Sequence, residues 1–302
     1  MAGMSEGYGT SLLVVTNEAA GGTEEAAIQS VLEVLRSGAQ VRRETCRVPG
    51  DLDRVLDPAG ERTVVVVGGD GSVHAAVQRL ASRGELSPDR PLGLVPLGTG
   101  NDLARTLGLP LDPAAAARVV LSGRPRPLDL FEDETSAVVV NAVHLGVGAE
   151  AAARGEPLKD RLGMTAYTVG SVAAGMTSTG WKLRVVVDDE ELPLDGKALM
   201  VALANGPTIG AGTPLAPQAE PDDGLADVVV ATSTGPLARF GFAVAMRDGD
   251  HLDRDDVIVG RGRQVTVTGD PVMANADGEV FGPVTSRTWT TRERAWSILV
   301  PG

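Results

Sequence analysis

The sequence predicts two domains: an α/β domain with a doubly wound parallel sheet over residues 1–127, and a mainly antiparallel β-sandwich over residues 128–302. Three observations support this. The length of 302 residues suits two domains of ordinary size. Apolar runs alternate with helical patterns in the first part, whereas strand patterns follow one another in the second. The proline-rich stretch "GRPRPLDL" marks the junction, and the C-terminal segment could return to the first domain.

The first domain alternates short strands with helices. A short run that is apolar throughout, such as "VVVV", is typical of a parallel sheet covered on both faces. Apolar residues at helical spacing predict the helices. For one helix the ends are also predicted: Asp112 is the N-cap, Pro113 is the first helical residue, and Gly123 follows the last one. The predicted strands are Ser11–Thr16, Val64–Val67 and Leu92–Val95, and the predicted helices are Glu24–Arg36, Val73–Leu80, Leu103–Leu107 and the helix after Asp112.

The second domain shows a period of two. In "WKLRVVVDDEEL" the apolar residues Trp181, Leu183, Val185 and Val187 alternate with other side chains, which predicts a half-buried antiparallel strand. The stretches "KALMVALAN", "LADVVVATS", "QVTVTG" and "RAWSILV" predict further strands. One helical stretch, Leu237–Met246, interrupts them.

Composition excludes several classes of protein. Lys and Arg number 27 and Asp and Glu number 40, so the net charge is −13, which argues against a nucleic-acid-binding protein. The single cysteine, Cys46, excludes an internal disulfide and a Cys-rich zinc site, and it suits a reducing compartment. The sequence shows no signal-peptide pattern and no apolar run of about 18 residues. We therefore expect a cytoplasmic protein.

Two glycine-rich loops follow predicted strands and precede predicted helices. In "VVVVGGDGSVHAAV" the glycines allow backbone N–H groups to converge on an anion at a helix N-terminus. Asp70 would repel phosphate but could hold Mg²⁺ or a hydroxyl group. The alternative is a tight turn with a solvent-facing aspartate.

The second loop is "PLGTGND", residues 96–102. It could supply a second wall of a nucleotide site through Thr99 and the loop amides. The alternative is that Asn101 or Asp102 simply caps the following helix. The sequence contains no "GxxxxGK[ST]" P-loop and no "GxGxxG" after the first strand, so it predicts neither a P-loop NTPase nor an ordinary dinucleotide-binding domain.

These loops together carry a family resemblance. "VVVVGGDGSVHAAV" followed by "LGLVPLGTGNDLARTLGLP" resembles the diacylglycerol kinase catalytic-domain family, which includes sphingosine and ceramide kinases, with NAD kinases and 6-phosphofructokinases more distant. Further motifs follow in the family's order: "NEAAGG" at 17–22, "PLDL" at 127–130, residues 201–230, and "ANADGEV" at 274–280. The resemblance covers nearly all of residues 11–300.

The resemblance implies a nucleotide cleft between two domains and ATP-dependent phosphorylation of a lipid hydroxyl with Mg²⁺. By position it implies nucleotide contacts from Asn17, Thr45, Gly68, Gly69, Asp70, Gly71, Ser72, Val73, His74, Gly98, Thr99, Gly100 and Asn101. It implies that Asp70 and Asp129 organise Mg²⁺ and phosphates. It also implies a structural metal site made by Asp223 with the backbone carbonyls of Glu220 and Leu225, for which the alternative is an ordinary Asp-Gly turn.

Phosphoryl transfer to an alcohol needs a carboxylate that accepts the hydroxyl proton. "ADGE" supplies Asp277 and Glu279 on either side of a glycine. We expect Asp277 to be the base, assisted by Glu279; the alternative is a β-turn on a surface hairpin.

We expect the partner to be a lipid at a membrane surface, contacted transiently, with a homodimer as a further expectation. A small basic cluster, Arg154, Lys159 and Arg161, could meet lipid headgroups. A kinase of a soluble hydroxylated metabolite and a non-catalytic nucleotide-binding protein are the alternatives.

Overall fold

The computed structural model describes residues 10–18, 22–150, 179–232 and 235–302. The chain divides into two compact units, one made of residues up to 128 together with 294–302 and the other of residues 129–293. The predicted classes, α/β first and antiparallel β second, are confirmed. The basic cluster Arg154, Lys159 and Arg161 lies outside the described residues. Within the described part, no helix is long and apolar enough to cross a lipid bilayer.

The first unit is built on a parallel sheet in the order β2-β1-β3-β4. Its elements are β1 (Ser11–Asn17), α1 (Gly22–Arg36), β2 (Gln40–Cys46), α2 (Leu52–Leu56), β3 (Thr63–Gly68), α3 (Asp70–Ser82), β4 (Gly93–Pro96), α4 (Asp102–Thr106) and α5 (Pro113–Ser122). From β1 the chain moves to β2 at one edge of the sheet, and after β2 it crosses back to form β3 on the other side of β1. Open α/β sheets bind ligands at the carboxyl ends of strands near such a reversal.

Both faces of this sheet are covered, which explains why its central strands are apolar throughout. Val65 and Val67 of β3 pack with Ile28 and Leu32 of α1, while Val66 on the opposite face is also buried. Strand β2 was not predicted. It is an edge strand, and its sequence "QVRRETC" is polar because most of its side chains reach solvent.

The second unit is dominated by a sheet in which ten strands are described, in the order β14-β13-β10-β7-β15-β16-β5-β6, with β8 on β15 and β9 on β8. Its elements are β5 (Arg124–Asp133), β6 (Val138–Val139), β7 (Ala142–Gly146), β8 (Leu183–Val187), β9 (Glu190–Glu191), β10 (Met200–Ala204), β11 (Thr208–Ile209), β12 (Thr213–Pro214), β13 (Ala226–Ala231), α6 (Pro236–Asp248), β14 (Val257–Gly262), β15 (Gln264–Ala276) and β16 (Glu279–Val300). Strands β5 and β16 each continue from one unit into the other.

Alternation places two apolar clusters on opposite faces of this sheet. In β10, Val201 and Leu203 join one cluster and Ala202 joins the other. Phe242 of α6 packs on the second cluster, so the helix covers that face. The predicted helix at Leu237–Met246 is therefore confirmed, with slightly wider bounds.

The C-terminal residues belong to the first unit. Ile298 forms a parallel bridge with Leu92, the Ser297 hydroxyl donates to the carbonyl of Pro88 at 2.6 Å, and Leu299 packs in the core of the parallel sheet. These contacts anchor the last strand beside β4.

His144 of β7 is a partly buried titratable residue whose Nδ1 atom is buried without a hydrogen-bond partner in the described residues. Burial lowers the pKa of His144 from its ordinary value near 6.5 to about 4. Between these pH values the unfolded chain binds a proton that the folded chain does not, so stability falls as pH drops from about 6.5 to about 4. We expect His144→Leu to remove this part of the acid destabilisation. Denaturant unfolding at several pH values tests it, and parallel stability profiles of the two proteins would contradict it.

Candidate functional site

Several of the predicted nucleotide contacts meet at the carboxyl edge of the parallel sheet. Thr16, next to Asn17 at the end of β1, pairs in register with Thr45 on β2 and with Val67 on β3. The Thr16 and Thr45 hydroxyl oxygens lie 3.2 Å apart, and the Asn17 side-chain amide donates to the Ser72 hydroxyl at 2.9 Å. The ends of β1, β2 and β3 and the start of α3 thus form one polar surface.

The two glycine loops touch through their backbones. A Cβ on Gly98 would lie 2.5 Å from the Cα of Gly69, and one on Gly69 would lie 2.9 Å from the Cα of Gly98. Both distances are shorter than van der Waals contact, so this approach requires glycine on both sides. The N–H of Leu97 also donates to the carbonyl of Gly68 at 3.0 Å. The two loops therefore form a single structure.

Asp70 joins the two loops electrostatically. Its carboxylate accepts a hydrogen bond at 3.1 Å from each of the N–H groups of Asp102 and Leu103, the first two residues of α4. Asp70 thus caps a helix that starts 32 positions further along the chain. The solvent-facing aspartate considered as the alternative is not what the structure shows.

The predicted capping of α4 by the Asn101 side chain is wrong. Asn101 has a left-handed backbone with φ of 52° and makes no side-chain cap. Instead its side chain accepts from the Gly98 N–H at 3.0 Å and donates to the Gly98 carbonyl at 2.6 Å, which closes its own loop. Capping is supplied by Asp70 because Asn101 is already engaged.

The remaining residues of the first unit differ in exposure. Thr99 and Gly71 are exposed, so their groups face solvent. The side chains of Val73 and His74 are buried in α3, so any contact with a ligand would be made by their backbone.

Arg43 of β2 lies at the same edge and was not predicted from the sequence. It pairs with Glu25 at 2.9 Å and approaches the Thr16 hydroxyl at 3.4 Å. The Arg43 guanidinium lowers the pKa of Glu25 to about 2.

In the second unit, Asp129 is fully buried and held from both sides by the loop before β13. Its N–H donates to the carbonyl of Pro221, and its Oδ2 accepts from the N–H of Gly224, both at 2.7 Å. Asn205 donates to the carbonyls of Asp129 and Val140, at 3.1 and 2.7 Å. The position of Asp129 therefore depends on the 221–224 loop.

Asp277 is anchored by backbone amides. Its carboxylate accepts from the N–H groups of Val140, Asn141 and Ala142, at 2.6 to 2.9 Å, and its φ is +49°. Glu279, the first residue of β16, is exposed. The two carboxylates of "ADGE" therefore differ: the first is fixed on the connection between β6 and β7, and the second reaches solvent.

Two asparagines near these carboxylates were missed by sequence reasoning. Asn141 donates to the carbonyl of Thr208 at 2.9 Å, and Asn205 bridges β5 and the segment after β6. The Oδ1 atoms of both are buried, and neither has a hydrogen-bond partner in the described residues. "ANG" within residues 201–230 was the available signal, but only the fold brings Asn205 to Asp129.

The metal site predicted around Asp223 does not fit the structure. Oδ1 of Asp223 accepts the N–H of Leu225 at 3.0 Å, and its Oδ2 pairs with the guanidinium of Arg261. The predicted site has a single carboxylate, since Glu220 and Leu225 would contribute only backbone carbonyls, so it depends on free oxygens of Asp223. A divalent cation requires several free oxygens, and here a side-chain cation occupies the carboxylate.

Comparisons with known proteins agree with this architecture. Residues 11–132 match the model of the diacylglycerol kinase catalytic domain, and residues 141–299 match that of the YegS C-terminal NAD kinase β-sandwich-like domain. The chain therefore belongs to the diacylglycerol kinase catalytic-domain family, a family of kinases, and it carries the YegS type of second domain.

Relatives and solved structures are consistent with this membership. The chain is 34% identical over 224 residues to a Pseudomonas aeruginosa protein named "Probable lipid kinase YegS-like", covering 72% of this chain and 71% of that protein. It is 31% identical over 235 residues to a diacylglycerol kinase of Mycobacterium tuberculosis, with coverage of 74% and 72%. A crystal structure of a diacylglycerol kinase from Bacillus anthracis has the same fold, with a TM-score of 0.77, 19% identity and 98% coverage of both chains.

The contact between Gly69 and Gly98 makes a direct prediction. Gly98→Ala should separate the two loops, because its Cβ would overlap the Gly69 backbone, and should weaken ATP binding at least tenfold. Gly50→Ala is the matched control, since it lies outside both glycine loops and a Cβ there meets nothing within 4 Å. Isothermal titration with an ATP analogue measures both. Equal affinity of the two variants would contradict the assignment of these loops to the nucleotide.

Proposed function

We propose that this protein transfers the γ-phosphoryl group of ATP to the hydroxyl of a lipid such as diacylglycerol. The observation that carries the proposal is the pair of joined glycine loops at the carboxyl edge of a parallel sheet. In the proposal the first unit holds the nucleotide, and the second unit supplies the carboxylates that act on the acceptor hydroxyl.

The nucleotide half uses backbone groups. The first-turn amides of α3 follow Gly69, and helix N-termini favour anions through their N–H groups and dipole. Asp70 supports this geometry by fixing the second loop on the first. Asn17, Thr45 and Ser72 add polar side-chain groups at the same edge. These groups suit the phosphates and ribose of ATP.

Mg²⁺ would neutralise charge on the β- and γ-phosphoryl oxygens during transfer. The carboxylates proposed for it are Asp70 and Asp129, whose oxygen atoms are the donors that Mg²⁺ prefers. Both side chains are already positioned by backbone amides, of Asp102 and Leu103 for the first and of Gly224 for the second.

On the acceptor side, the two carboxylates of "ADGE" take different parts in the proposal. Hydrogen bonds from three backbone amides occupy most of the lone pairs of the Asp277 carboxylate. Glu279 is exposed and better able to approach a substrate hydroxyl. We therefore assign proton acceptance to Glu279 and the support of this turn to Asp277, which reverses the roles expected from sequence.

Contact with a membrane is supported by the outer face of α6. Leu237, Phe240 and Val244 are exposed by 84%, 57% and 43%, and their spacing places them on one side of the helix. Phe242, on the other side, packs on the sheet. A helix that is apolar on both sides needs a second apolar neighbour. A bilayer surface suits this face, since Arg247 beside it is 81% exposed and can meet lipid phosphates.

The activity test is phosphorylation of a mixed lipid extract with labelled ATP and Mg²⁺, with the product masses determined. We expect label in a lipid that carries a free hydroxyl. Label in a water-soluble metabolite only would support a soluble acceptor, which the net charge of −13 would suit. Bound nucleotide without transfer to any acceptor would indicate a non-catalytic nucleotide-binding protein. We place the reaction in the cytoplasm at the inner membrane face.

The assignment of the base is tested by comparing two substitutions. Glu279→Gln should lower kcat by about 10²–10⁴-fold, because it removes the proton acceptor, and should change the unfolding midpoint little, because the side chain is exposed. Asp277→Asn should lower stability by about 1–3 kcal/mol, because one amide oxygen cannot serve three N–H donors. A fully active Glu279→Gln variant, together with a stable and inactive Asp277→Asn variant, would make Asp277 the base.

The membrane contact is tested by the double substitution Leu237→Ala and Phe240→Ala. It should reduce binding to anionic vesicles by about tenfold or more, because each buried apolar side chain contributes about 1.5–3 kcal/mol. Activity on a dispersed short-chain lipid should not change. Leu111→Ala, at a 41% exposed position of the first unit, is the control. Undiminished vesicle binding by the double variant would exclude this face.

A further inference from the structure

We infer that Arg261 takes the place of a divalent cation beside the 221–224 loop, and that it acts as a positioning residue for Asp129. The guanidinium of Arg261 then stabilises the loop that holds Asp129, and this loop does not require a bound metal ion.

Strand pairing places the guanidinium at this loop. Arg261 of β14 lies opposite Asp227 of β13 in the antiparallel register. Its Nη2 pairs with Oδ2 of Asp223, and its Nε lies 3.5 Å from Oδ2 of Asp227. One guanidinium thus bridges two carboxylates, one on the loop and the other on the sheet.

The buried carboxylate of Asp227 explains why a positive charge is needed. Asp227 is 2% exposed, and Gln218 donates to its Oδ1 at 3.0 Å. Its Oδ2 has no hydrogen-bond partner in the described residues, so the nearby guanidinium is its main compensation. Desolvation raises the pKa of Asp227, which reflects the cost of burying this charge.

A guanidinium and a divalent cation cannot share this position. A hard cation needs several oxygen ligands at close range, whereas the Arg261 guanidinium already lies against Oδ2 of Asp223 and Oδ2 of Asp227. The positive charge of the guanidinium would also repel a second cation at contact distance.

Two hydrogen bonds transmit the position of the loop to Asp129. Gly224, next to Asp223, donates to Oδ2 of Asp129, and Pro221 accepts from its N–H, both at 2.7 Å. Arg261 is therefore linked to Asp129 through the loop and does not contact it. The consequence for catalysis rests on the proposed function, whereas the consequence for cation binding does not.

The first experiment measures cation dependence without nucleotide. The unfolding midpoint of the wild type should be the same in EDTA and in millimolar Ca²⁺ or Mg²⁺. Arg261→Gln should lower the midpoint in EDTA by about 2–4 °C, and Ca²⁺ should restore it, because the two carboxylates become available to a metal ion. Arg261→Lys should remain near the wild type in EDTA, since it retains the charge.

Arg184→Gln is the matched control, since it breaks an arginine–carboxylate pair with Glu191 on the same unit. It should show neither the lower midpoint nor any effect of Ca²⁺. Stabilisation of the wild type by Ca²⁺, lost in Asp223→Asn, would overturn the inference. So would an Arg261→Gln variant with the midpoint of the wild type. The wild-type comparison decides the matter even if Arg261→Gln does not fold.

The second experiment measures kinetics in the lipid phosphorylation assay. Arg261→Gln should lower kcat and leave the KM for ATP unchanged, and Arg261→Lys should restore kcat. A variant with wild-type kcat would remove the positioning role. If the wild type itself phosphorylates no lipid, the proposed function fails, while the midpoints in EDTA and Ca²⁺ still decide whether Arg261 replaces a metal.

Discussion

The backbone contact between Gly69 and Gly98 is the constraint on which the first unit's site depends. At this contact the loops that follow two neighbouring strands touch through their backbones, and the two glycines are so close that a Cβ on either one would overlap the other. The Asp70 carboxylate then fixes the second loop by accepting the first two amides of α4. Together these contacts make two separate strand–helix turns into one surface at the carboxyl edge of the sheet.

Carboxylates that accept hydrogen bonds from backbone amides also occur in the second unit. Asp277 accepts three amides from the connection between β6 and β7, and Asp129 accepts the amide of Gly224. Backbone amides are rigid donors, so carboxylates held by them are preorganised at low cost. In this family member, acidic residues identified by sequence similarity serve as structural anchors as well as candidates for chemistry.

Elements with a strong local signal could be predicted. Helix α5 follows from Asp112 and Pro113, and the predicted cap is present, since the Ala115 N–H donates to Asp112 at 2.8 Å. Strand β2 could not be predicted, because an edge strand faces solvent and lacks the apolar period on which such predictions rely. The cap of α4 was also missed, because it comes from a different loop.

The amino-acid sequence alone determined the two fold classes, the strand–glycine–helix order and the family, because each depends on neighbours along the chain. Tertiary structure alone decided what each carboxylate contacts. Asp70 meets Asp102 across 32 positions, Asp223 meets Arg261 across 38, and Asp277 meets Ala142 across 135. The function of an acidic side chain depends on the charges and amides around it, and only the folded chain brings those groups together.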